Sequence, residues 1–89
     1  MTSPYFAAFC RREAGQAKAR FGFTTPRALG KAVKRNRIKR RMREVVRLEA
    51  WRLEPHWQVV FNPRRQALDA PIEALRREVE KLFLRCGNS

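Results

Sequence analysis

Between positions 27 and 47 the sequence holds ten Lys and Arg residues: Arg27, Lys31, Lys34, Arg35, Arg37, Lys39, Arg40, Arg41, Arg43 and Arg47. One acid, Glu44, accompanies them. Ten bases less one acid leave +9 of the chain's net +13 in under a quarter of its 89 residues. Arg offers flat, bidentate donors that suit phosphate oxygens and base edges. Asn36, between Arg35 and Arg37, adds a neutral donor and acceptor able to read a base or a 2′-hydroxyl. A merely solvated charged helix would intersperse acids to form i,i+4 pairs, and this stretch does not. The pattern points to a polyanion partner.

Other chemistry has little support. With one His (His56, beside Pro55 and Trp57) a His-based catalytic or metal centre is not expected, and His56 reads as a turn residue. There is no Gly-rich phosphate loop, no HExxH and no Ser/His/Asp ordering. No catalytic and no metal-ligating residue is therefore assigned. The two cysteines, Cys10 and Cys86, lack CxxC spacing and are read as reduced thiols of a cytoplasmic protein. No apolar run is long enough to span a bilayer, and the opening residues lack the features of a signal peptide. The apolar fraction of 44% excludes a disordered basic tail.

These residues must be held by a small framework, expected to be a single domain over residues 1–89 with a thin core. Residues 5–10 alternate as a strand, with Phe6, Ala8 and Cys10 on one face and Tyr5, Ala7, Phe9 and Arg11 on the other. Residues 13–16 read as a reversal, and residues 19–24 as a second strand pairing with the first in an antiparallel hairpin. Pro26 and Gly30 mark the exit. A helix is predicted over 31–53, with Ile38, Met42, Val45, Val46 and Leu53 on one face; Glu49 shares that face and weakens the stripe. A basic amphipathic membrane helix is the competing reading, but that apolar face is needed to cover the sheet. Residues 57–61 form a third strand closed by Asn62 and Pro63. Asp69 is placed as cap of a last helix with Pro71 in its first turn and Ile72, Leu75, Val79, Leu82 and Phe83 as its apolar stripe. The fold class is α+β, a two-layer α/β sandwich of order β-β-α-β-α.

Most aromatics fall at core positions: Phe6, Phe21, Phe23, Phe61 and Phe83. Phe9 differs, because alternation sets it opposite Phe6. On an open sheet face it would offer a stacking platform for single-stranded bases. A minor hydrophobic cluster with Tyr5 accounts for it equally well on the residues alone.

Residues 20–44 closely resemble the signature of the bacterial ribonuclease P protein subunit family. The match centres on Gly30-Lys31-Ala32-Val33-Lys34-Arg35-Asn36-Arg37-Ile38-Lys39-Arg40, the RNR run, placed after a strand and opening a helix. The resemblance implies a protein that binds a large catalytic RNA and assists removal of the 5′ leader from precursor tRNA. It implies catalysis by that RNA, with Mg2+ held there and no cofactor on the protein. By position, Lys31, Lys34, Arg35, Asn36, Arg37, Lys39, Arg40, Arg43 and Arg47 would bind the catalytic RNA. Phe9 and Arg27 would face the leader, Phe9 matching the family's strand aromatic. The implied partners are the catalytic RNA and precursor tRNA, with no membrane and no obligate protein partner. The family also joins two parallel strands through this helix by a left-handed crossover, against the usual rule.

Three departures accompany the match. Members usually begin with a further helix and a short strand ahead of the point matched by Tyr5, and the resemblance implies that these are missing here. Pro26-Arg27 stands where many have Ser-Lys, and Asn62 and His56 replace a common Arg and a common Asp. A structural RNA-binding protein of the ribosomal type fits the composition equally well. A DNA-binding repressor would need a helix-turn-helix pair, which the Phe-rich strands argue against.

Overall fold

The structure is a computed structural model that describes residues 2–15 and 17–87. The elements run β1 (Phe6–Arg12), β2 (Arg20–Phe23), α1 (Ala32–Glu49), β3 (Trp57–Pro63), α2 (Gln66–Asp69) and α3 (Ile72–Gly87). The result is an α+β fold with a mixed three-stranded sheet under helices.

The expected β1–β2 hairpin is not formed. The strand order is β1-β3-β2, with β3 antiparallel to β1 and parallel to β2. β1 and β2 do run in opposite directions, as a hairpin would, but β3 lies between them. The physical reason lies in the side chains. β3 carries no charge, and Trp57, Val59, Phe61 and Pro63 are buried along it in strict alternation. Arg11 and Arg12 end β1 and Arg20 opens β2, which suits them to edges. The parallel β2–β3 pair needs a long connection, and α1 supplies it. Glu13 closes the β1 end by donating its N–H to the His56 carbonyl at 2.7 Å. The reversal is a turn at Ala14–Gly15, with Gly15 at φ +86°; Gln16 lies outside the described residues.

One sheet face packs on α1 and α3. Ile38, Met42, Val45 and Val46 of α1 and Leu75, Val79, Leu82 and Phe83 of α3 are buried, as the periodicity predicts. The Phe61 ring lies edge-on to Phe6 and Phe83 and stacks on Phe23. Ile72 departs from its predicted stripe and is exposed. The helical bonding of α3 begins at the Pro71 carbonyl, which accepts from Ala74 and Leu75. Asp69 instead belongs to the short helix α2 rather than standing as the cap. The central helix also stops earlier than predicted. α1 ends at Glu49, and Ala50–Arg52 tightens into a 3-10 turn closed by Leu53 N–H on the Ala50 carbonyl.

The cysteines correct a second expectation. Cys10 and Cys86 are joined in a disulfide, with Cα atoms 6.5 Å apart. Cys10 lies on the inner face of β1 with Phe6 and Ala8. Cys86 follows Phe83 by three residues, so it continues the buried stripe of α3. Extending that stripe by one position would have brought the two sulfurs to the same layer.

Candidate nucleic-acid interface

α1 sets its apolar stripe against the sheet, which leaves its cations outward. Lys31, Lys34, Asn36, Arg37, Arg40, Arg43 and Arg47 are exposed, and Lys39 is half-buried. Glu44, the one acid of the stretch, pairs with Arg47 at 3.0 Å in the open, so the other exposed cations keep their charge for a ligand. The first turn has no acid, and Lys31 caps it without a side-chain hydrogen bond. Positive charge at this end is thus reinforced by unneutralised N–H groups. Gly30 sets the entry angle at φ +122°, and a Cβ there would come within 3.3 Å of the Lys34 chain.

Two arginines of the stretch turn inward. Arg41, not among the predicted contacts, donates Nε to the Ala67 carbonyl at 3.1 Å and Nη2 to the Ala70 carbonyl. It thereby fastens α2 and its exit to α1. Arg35, which is among them, is half-buried and reaches the Thr25 carbonyl at 3.5 Å. Its Nε is enclosed without a hydrogen-bond partner among the described residues. Arg35 therefore links α1 to the segment before Pro26 and offers only part of its guanidinium outward.

The leader candidates stand elsewhere. Phe9 is 62% exposed on the sheet face that α1 and α3 leave uncovered. Register aligns it with Val60 of β3 and, beyond, Gly22 of β2. The missing Cβ at Gly22 keeps the far end of that row, beyond Val60, shallow. The adjacent row is Arg11, Gln58 and Arg20; Arg11, 3.8 Å from Glu13, is on the strand of Phe9, and Arg20 stands across β3 from it. Arg20 was not predicted as a contact. Its alternation with Phe21 was legible, but placing it across β3 from Arg11 required the strand order. Arg27 is exposed on the 3-10 turn Arg27–Leu29 that leads into α1, on a different element from Phe9.

Among the described residues no group of three or more His, Cys, Asp or Glu side chains could hold a metal ion. His56 sits in the turn before β3, its Nδ1 3.3 Å from Glu54. No helix among the described residues is long and apolar enough to cross a membrane. What the described surface offers is cationic, with Phe9 and Trp51 as exposed aromatics: phosphate docking and base stacking.

Comparison with known proteins agrees with this chemistry. The family model described as Ribonuclease P matches residues 1–87. The chain is 48% identical over 77 residues to the ribonuclease P protein component of Symbiobacterium thermophilum, covering 86% of this chain and 66% of that one. It is 44% identical over 70 residues to that of Roseiflexus sp., covering 78% of this chain and 57% of that one. The chain thus spans somewhat under two thirds of these relatives' length. The solved RNase P protein of Thermotoga maritima superposes with a TM-score of 0.81 at 25% identity, covering 96% of this chain and 80% of that one.

Proposed function

The chain belongs to the ribonuclease P protein family, and on that premise we propose that it is the protein subunit of a bacterial ribonuclease P. It binds the catalytic RNA and the 5′ leader of precursor tRNA and assists endonucleolytic removal of the leader. The observation that carries this reading is the outward set of Lys34, Arg37, Arg40, Arg43 and Arg47 on α1, with Lys31 at its cap and Asn36 among them.

The physical role follows from charge. Catalytic RNA and precursor tRNA are both polyanions and repel one another. A compact body with a net charge of +13 offsets that repulsion where the two meet. The α1 face docks on the phosphates of the catalytic RNA. The open sheet face, with Phe9 across from Val60 and the Arg11–Gln58–Arg20 row beside them, takes the unpaired leader by stacking and charge. Bond cleavage is assigned to the RNA and the Mg2+ bound there; this chain holds no cofactor and positions substrate. Residues 1–89 act as one RNA-binding domain in the cytoplasm. The β2–α1–β3 connection is read as the left-handed crossover of the family.

Because cations on the protein substitute for metal ions as counter-charge, the benefit is greatest at low Mg2+. Precursor tRNA cleavage by a bacterial catalytic RNA, timed at low Mg2+ with and without the protein, is expected to accelerate on its addition. Unchanged cleavage, with co-sedimentation on ribosomal subunits instead, would replace this reading with a structural ribosomal role.

A further inference from the structure

On the helix side of β2, away from Phe9, lies an open cavity of about 570 Å³. Phe21 and Phe23 of β2 form its floor with Val46 and Leu53. Trp51 forms a wall and is 72% exposed, an unusual place for a large aromatic. Its indole is oriented by Arg52, whose guanidinium lies 4.4 Å over the ring. Arg52 is itself held by Glu49 at 2.6 Å and by Glu80 at 3.7 Å. One indole face is thus occupied, while the largely exposed ring still lines the cavity. Lys18, Arg43 and Arg47 stand at the rim; Glu44, on Arg47, is the acid nearest them in the ion-pair network.

We propose that this cavity is a binding site for a single unstacked base of an RNA strand, with the flanking phosphates on Lys18, Arg43 and Arg47. The inference rests on the RNA-binding reading and deepens it. An apolar, aromatic pocket ringed by cations matches a nucleotide, which is a flat apolar ring joined to an anion. The volume falls within the roughly 300–1,000 Å³ of small-ligand sites. Arg43 and Arg47 also belong to the basic face of α1, so a strand lying along that face reaches the cavity without leaving protein.

The test uses hexa-adenylate RNA, and the same hexamer made wholly abasic, at 50 mM salt. Binding is read by anisotropy of 5′-labelled RNA and by indole emission on unlabelled RNA. Trp57 is 6% exposed and gives a constant background. Hexa-adenylate is expected to quench Trp51 emission. Trp51→Ala is expected to weaken it roughly 5- to 150-fold, while Trp51→Phe, which keeps a stacking ring, stays within about threefold. The abasic hexamer is expected to bind the native chain weakly and to be indifferent to Trp51→Ala. Equal affinity of native and Trp51→Ala chains for hexa-adenylate, with no change in emission, overturns the cavity and leaves RNA binding standing. Failure to bind either the hexamers or a bacterial ribonuclease P RNA overturns both.

Discussion

Arg76 Nε donates to Glu49 Oε1 at 2.6 Å, joining the end of α1 to α3. The other oxygen, Oε2, accepts from Arg52 Nε at 2.6 Å. Glu49 is only 1% exposed, yet it sits on the apolar stripe of α1. Burial alone would raise its pKa. The hydrogen bonds and charges of Arg76 and Arg52 outweigh burial and hold the carboxyl below its ordinary 4.5. The residue that interrupts the hydrophobic pattern is thus a charged clasp.

A carboxyl depressed in the folded state stabilises above its unfolded pKa and loses that contribution as pH falls through the folded one. Glu49→Gln is expected to cost about 2 kcal/mol at pH 7, modest because both arginines keep access to water. Thermal melts of the two proteins from pH 7 to pH 3 check it. The gap in Tm should be steady down to about pH 4.5 and then narrow. A gap that widens with acid would contradict the clasp.

Arg41 and the Arg37–Arg40 pair should separate cleanly, although all three lie within one turn and a half of α1. Arg37→Ala with Arg40→Ala removes two exposed cations. RNA affinity should fall, and its log–log dependence on salt should become shallower by about 1.4–1.8. Arg41→Ala should leave that slope unchanged and lower Tm instead, because its donors serve the Ala67 and Ala70 carbonyls. Filter binding at several salt concentrations, with parallel melts, gives both readouts.

Elements that depend on local pattern were legible in the sequence, and those that depend on pairing were not. The buried set Ile38, Met42, Val45 and Val46 followed from helical spacing, as did the outward cations. The inner and outer faces of β1, and hence the exposure of Phe9, followed from alternation. Strand order did not, because a hairpin and an interposed β3 give β1 and β2 the same faces and the same opposed directions. The same ambiguity hides the Arg11–Gln58–Arg20 row, which exists only because β3 lies between β1 and β2. Arg35 was read as an outward contact, since spacing does not show that the Thr25 carbonyl lies beside it. Nor does local pattern show the cavity at Trp51, which is formed with Phe21 and Phe23 of β2, distant in sequence.

Phe9→Ala should discriminate between the two RNA surfaces. The ring is mostly exposed, so stability should change by no more than about 0.5 kcal/mol. Affinity of the assembled enzyme for precursor tRNA should fall roughly 5- to 150-fold, and affinity for mature tRNA should not change. Binding of the catalytic RNA alone should also be unaffected, because α1 packs on the other face of the sheet. Equal losses for precursor and mature tRNA would place Phe9 outside leader recognition.

The Cys10–Cys86 bridge joins β1 to the last turn of α3 across a sequence separation of 76. A closure of that length restricts the unfolded chain strongly, and such bridges typically contribute about 2–4 kcal/mol. In a chain of this size that corresponds to a fall in Tm of roughly 8 °C or more on reduction. Melts with and without dithiothreitol measure it directly. The Cys10→Ser, Cys86→Ser double variant should melt near the reduced protein and ignore the reductant. Cys10 shares its strand with Phe9 and Arg11, so loosening β1 should also weaken leader recognition more than docking of α1 on the catalytic RNA. Precursor tRNA affinity that falls on reduction, while catalytic RNA affinity holds, would show that coupling; equal sensitivity of both would confine the bridge to stability.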